Sequence, residues 1–143
     1  MLEASLRFFH LVALLIMATS SLILSLGLRP RLDADDISAL RRVSVAFWVS
    51  VIPAAGPGLA LWFWAGKPAA FYSGNPVFHA KIGLFVIYLL LATGPTWFLH
   101  RRATDAEGGL NVPRVLRWSM KLQLIVLLIM PALAYLMARG IGY

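Results

Sequence analysis

The sequence predicts an all-α protein, an antiparallel bundle of four transmembrane helices in a single domain spanning residues 1–143. Three observations lead there. The chain is 60% hydrophobic with only 13% charged residues, and its mean hydropathy is +0.79. Four apolar runs, 8–27, 43–65, 82–99 and 122–138, hold no Asp, Glu, Lys or Arg. Each is close to the ~20 residues that carry a helix across ~30 Å of hydrocarbon at ~1.5 Å per residue. The connections between them are short, which makes neighbouring spans antiparallel.

Span one, 8–27, follows a basic residue, but no small-residue cleavage pattern follows "SSLILSLGLRPR", so it reads as retained rather than as a signal peptide. In "RLDADDISALRR" the aspartates suit a helix N-terminus as caps and as complements to the dipole, so helix two starts before Arg41. Span two carries Pro53 and Pro57 with glycines in "VIPAAGPGLA", a pattern for a kink packed closely over Ala54, Ala55, Gly56 and Gly58. Span three opens through "NPVFHAKIGLF" and carries Pro95 late. In "EGGLNVPRVLRWSMK", Gly108–Gly109 marks a turn and Asn111 is placed to cap the helix entered through Pro113. Span four is interrupted at Pro131. Arg114, Arg117, Trp118 and Lys121 share one face at its start, a stripe suited to lipid headgroups.

Charge sets the orientation. Nine Lys and Arg residues fall at the ends joined by the first and third loops, against Arg7, Lys67, Lys81 and Arg139 on the other side. By the positive-inside rule those loops are cytoplasmic and both termini periplasmic, in a bacterial inner membrane. Trp62 and Trp64 then mark the outer interface, and Trp97 and Trp118 the inner one. The net charge of +7 belongs to these loops and to the bilayer, not to nucleic acid. The absence of cysteine excludes disulfides, thiolate catalysis and thiolate metal sites.

All six carboxylates, Glu3, Asp33, Asp35, Asp36, Asp105 and Glu107, lie outside the spans. That removes the intramembrane acid of most ion-coupled carriers and the carboxylate pairs of hydrolases. Three histidines and a membrane-edge lysine are left. His79 and His100 lie 21 residues apart on one helix, roughly 31 Å, at opposite faces. His10 sits in the first turns of span one and His79 at the mouth of span three, both near the outer face. Two imidazoles on separate helices are a standard way to hold haem iron in a bundle, with Arg7, Lys67 or Lys81 available to the propionates. Lys81 lies about 200° around the helix from His79, so the two are alternatives for the inward position.

"YSGNPVFHAKIGLF" followed by "GPTWFLHRR" resembles a family of small bacterial four-span membrane proteins of unknown function, in which a histidine opens span one and an Asn-x-x-Phe-[His/Trp]-x-Lys pattern opens span three. Span two departs from that family's Tyr-Gly and Gly-x-x-Arg pattern, reading "AFWVSVIPAAGPGLALWFW" instead. The layout is more distantly similar to HemJ-type protoporphyrinogen oxidases and to CopD-like membrane domains. The HemJ likeness implies bound haem b and gives the two functional positions of that family to His10 and Lys81.

The expected function is therefore haem b or porphyrin binding near the periplasmic face, for electron transfer with quinone or for porphyrinogen oxidation. Cofactor-binding positions are His10, His79 and Arg7, with Lys81 as the catalytic or propionate-pairing group and His10 and His79 as metal ligands. A cofactor-free accessory subunit, packing through Ala54–Gly58 against a membrane partner or a second copy, is the expectation of a different class. A copper protein on His10 and His79 is a third, with no Cys and few Met to support it.

Overall fold

The computed structural model describes residues 1–65 and 67–141. Its elements, in chain order, are α1 (Leu2–Gly27), β1 (Arg31–Leu32), α2 (Ala34–Ala60) running into one π-helical turn (Leu61–Ala65), α3 (Ala69–Ser73), α4 (Pro76–Arg101), β2 (Leu110–Asn111) and α5 (Arg114–Ala138). Four of the helices, α1, α2 with its π turn, α4 and α5, are long and apolar enough to cross a membrane. The last three begin nine, six and eight residues ahead of the apolar runs expected at 43, 82 and 122. Caps and prolines set these starts, not hydropathy. Asp33 and Asp36 form a reciprocal capping box on α2, and Asn75 caps α4 with Pro76 in its first turn.

Helix contacts run α1–α2, α2–α4, α4–α5 and α5–α1. They close a ring with α1 and α4 on one diagonal and α2 and α5 on the other. Inward positions recur at four and seven residues: Ala13, Met17 and Leu24 on α1; Leu40, Phe47 and Ala54 on α2; Tyr88, Ala92 and Leu99 on α4. Large apolar residues such as Leu15, Ile52, Leu90 and Leu128 point outward. In a bilayer that surface is solvated by lipid, so close packing and interhelical polar bonds carry helix association. α2, α4 and α5 each continue through their prolines.

One end of the bundle, here the sheet end, is closed by pairing the two connections that the sequence presents as separate loops. β1 and β2 pair antiparallel, Arg31 opposite Asn111 and Leu32 opposite Leu110, and the Val112 N–H adds a bond to Pro30 O. The Arg31 guanidinium reaches Asp105 at 2.6 Å, Glu107 at 3.3 Å and the Asn111 side chain at 3.2 Å. Asn111 is thus a strand residue accepting from Arg31. It does not cap α5, which begins after Pro113 with no side-chain cap. Gly108 takes a positive φ of 77° in the turn, which glycine adopts without steric cost.

Arg31, together with the Gly109 and Glu107 amides, holds the Asp105 carboxyl down at about 2. Its folded value lies below the unfolded one, so its contribution is present above the ordinary carboxylate range and is lost as pH falls from there toward 2. The Gly109 amide, which donates to Asp105 at 3.0 Å, reports this directly. Its NMR shift is expected to titrate with a midpoint near 2; a midpoint in the ordinary carboxylate range would show that the Arg31 pair does not form.

Candidate functional site

The other end carries the start of α1, the end of α5, His10, and the mouth of α4. His10 is half-buried on the inward face of α1, one heptad above Met17. Its Nδ1 lies 2.6 Å from the carbonyl oxygen of Ala54 on α2. A carbonyl only accepts, so Nδ1 carries the proton in this contact, and Nε2 has no partner among the described residues. Pro57 has no N–H to offer the Pro53 carbonyl one turn back, and the neighbouring Ala54 carbonyl accepts from His10. Gly58 leaves the room: a Cβ there would sit 3.3 Å from His10 Cε1 and 3.6 Å from Nδ1. The Ala54–Gly58 stretch, expected as a packing surface for a partner, contributes the seat of His10 within the bundle.

Lys81 is half-buried on α4 and shares the face of Tyr88, seven residues on. It has no hydrogen-bond or ion-pair partner among the described residues, and it lies within electrostatic range of His10. His79, on the other side of the helix, is exposed, with its Nε2 2.7 Å from Ser73 O and its ring edge-on to Phe78. The structure therefore turns His10 and Lys81 inward at the same end of the bundle and leaves His79 out of that face. The paired His10–His79 ligand set, for haem or for copper, is not assembled, because an inward Lys81 turns His79 away. Among the described residues no group of three or more His, Asp or Glu side chains converges. Arg7 is also engaged elsewhere: it is exposed and bonded to Glu3 at 2.6 Å, one turn back on α1. Lys67 sits 4.3 Å over the Phe71 ring, and His100 bonds Ser44 at 2.7 Å at the sheet end.

Four further residues, Asn75, Tyr88, Ser21 and Gln123, matter through contacts that the sequence does not signal. Asn75 is fully buried; its Oδ1 accepts from the Val77 N–H at 2.9 Å, while its Nδ2 has no acceptor. Asn before Pro signals a cap, but nothing local signals an orphaned donor. Below the His10 level, the Tyr88 hydroxyl bonds Ser21 Oγ across the α1–α4 diagonal. Gln123 of α5 donates to the Tyr88 carbonyl at 3.1 Å, and its Oε1 has no partner. The end itself is roofed by aromatic rings, Trp62 against Phe78 at 4.8 Å and Phe78 against Tyr72 at 5.3 Å.

Comparison with known proteins adds one finding. A family model described as a predicted membrane protein, DUF2214, matches residues 2–142. The chain belongs to this family. The match takes in all four spanning helices and with them His10, Asn75, Lys81 and Tyr88. The DUF2214 description names no activity, so it identifies a membrane protein of unknown function and carries nothing of the HemJ or CopD likeness. No curated protein and no solved structure matches the chain.

Proposed function

We propose that this DUF2214 protein binds haem b or a related porphyrin at the end of the bundle opposite the two-stranded sheet. One observation carries the reading: an imidazole anchored through Nδ1, with Nε2 free, lies within electrostatic range of an inward lysine that has no partner among the described residues. An Nδ1–H bond to a carbonyl fixes the ring and raises the basicity of Nε2, as is usual for a ligating histidine. Lys81 is a point charge in a low-dielectric setting, and such a cation calls for an anion such as a propionate carboxylate. Asn75 Nδ2, buried and without an acceptor among the described residues, lies at the mouth of the same helix. His10 would hold the iron and Lys81 the carboxylate, with no part for His79 or Arg7.

Bound haem would supply one-electron chemistry, with quinone in the bilayer or a porphyrinogen as electron partner. The same reading puts the sheet end, rich in arginine, in the cytoplasm of a bacterium and this site at the periplasmic face. The test is a dithionite-reduced minus air-oxidised absorption spectrum of the purified protein, before and after haem reconstitution. A b-type difference signal is expected. A flat spectrum after reconstitution overturns the proposal and leaves the accessory-subunit reading in its place.

A further inference from the structure

A second site, independent of the first, lies at the sheet end. A cleft of about 430 Å³ opens between the first two turns of α2 and the connection that carries Thr104 and Gly108. Its polar lining is Ser38, Arg41, Arg42 and Thr104, with Ile37 as an apolar wall. That volume falls within the ~300–1,000 Å³ range of small-ligand sites.

The pairing pattern at this end is uneven. Arg29 bonds Asp36 at 2.7 Å, and Arg31 holds Asp105 and Glu107. Asp33 and Asp36 are committed to the capping box. The cleft arginines have no carboxylate among the described residues. Arg41 donates through Nε to the Leu99 carbonyl at 2.6 Å, which fixes the guanidinium and leaves its terminal nitrogens unpaired. Arg42 is exposed and has no partner among the described residues. Asp35, the remaining acid of the α2 start, is not part of the lining.

Two guanidinium groups and two hydroxyls lining one cleft match the charge and donor chemistry that a phosphate calls for, since arginine binds it through paired N–H donors. The β1–β2 pairing and the Arg31 cluster hold the facing wall in place. Arg41 and Arg42 also stand directly before the apolar run at Val43, the level at which headgroups meet a spanning helix. We propose that this cleft binds a phosphate group, carried either by an anionic phospholipid headgroup or by a free phosphate ester.

The test uses the full chain in neutral detergent micelles. Native mass spectrometry in mixed phosphatidylglycerol and phosphatidylcholine micelles is expected to show phosphatidylglycerol retained in preference. Arg42→Gln is expected to lower that retention about tenfold or more, the scale of a lost charge-assisted pair. Arg42 holds no intramolecular bond, so this variant keeps the fold; Arg41→Lys, which keeps the charge and loses the fork, is the second variant and is expected to weaken binding too. Arg101→Gln/Arg102→Gln removes two charges at the same end outside the cleft and is expected to leave retention unchanged. In lipid-free micelles, calorimetry with glycerol phosphate and inorganic phosphate separates the sources. Arg42-dependent heat there assigns a soluble ester, and lipid retention without it assigns a headgroup. Equal loss in the Arg101/Arg102 variant, or no loss in Arg42→Gln, overturns the proposal.

Discussion

Tyr88→Ala is expected to lower the stability of the bundle by about 3 kcal/mol. Tyr88 is fully buried, packs against Phe47 at 5.7 Å and Phe85 at 6.4 Å, and bonds Ser21 on the opposite corner of the ring. Removing the ring leaves a cavity of roughly 100 Å³, which at ~24 cal/mol per Å³ costs ~2.4 kcal/mol. The lost hydrogen bond adds ~0.6 kcal/mol, the average for side-chain bonds between helices in a membrane. Packing therefore outweighs the hydroxyl about fourfold, and Tyr88→Phe should cost no more than ~1 kcal/mol. Equilibrium unfolding in mixed micelles with increasing SDS measures both variants. Equal losses for Phe and Ala would mean that the Ser21 bond, not the ring, holds the diagonal.

His10→Ala is expected to abolish haem binding while the bundle stays folded. The imidazole is the one ligand the proposed site offers, and its removal leaves the Ala54 carbonyl bare at a cost of about 1 kcal/mol, too little to unfold the protein. Added imidazole, seated in the vacated space, should restore the absorption signal. Gly58→Val separates anchoring from ligation. Its Cβ would sit 3.3 Å from His10 Cε1 and press the ring away from Ala54, so haem affinity should fall ~10–100-fold with His10 still present. A haem titration followed at the Soret band measures all three proteins. Full binding by His10→Ala, or its loss in His79→Ala instead, would overturn the assignment of the ligand.

The four spans were legible because the bilayer imposes length and apolarity on every residue of a run, a signal that needs no knowledge of neighbours. The capping box at Asp33 and Asp36 was legible in outline for a similar reason, since a cap involves residues only three apart. Asn111 shows the limit. Its position before Pro113 suits a cap, yet the side chain answers to Arg31, 80 residues earlier, and local spacing holds no trace of that partner. The orphaned Nδ2 of Asn75 and the Tyr88–Ser21 bond were hidden in the same way.

His79 and Lys81 mark the division most clearly. Their spacing alone showed that only one of them can face the core, because two residues turn a helix by about 200°. Which one does depends on how α4 is rotated about its axis, and packing against α2 and α5 sets that rotation by burying Tyr88, Ala92 and Leu99 together. Lys81 shares that face and turns inward, and His79 is left to Ser73. Membrane insertion, span count and the menu of polar residues are properties of the chain read one segment at a time. The pairing of His10 with Ala54, the approach of Lys81 and the arginine cleft arise only from the rotation and contact of whole helices, because each joins residues that no local period connects.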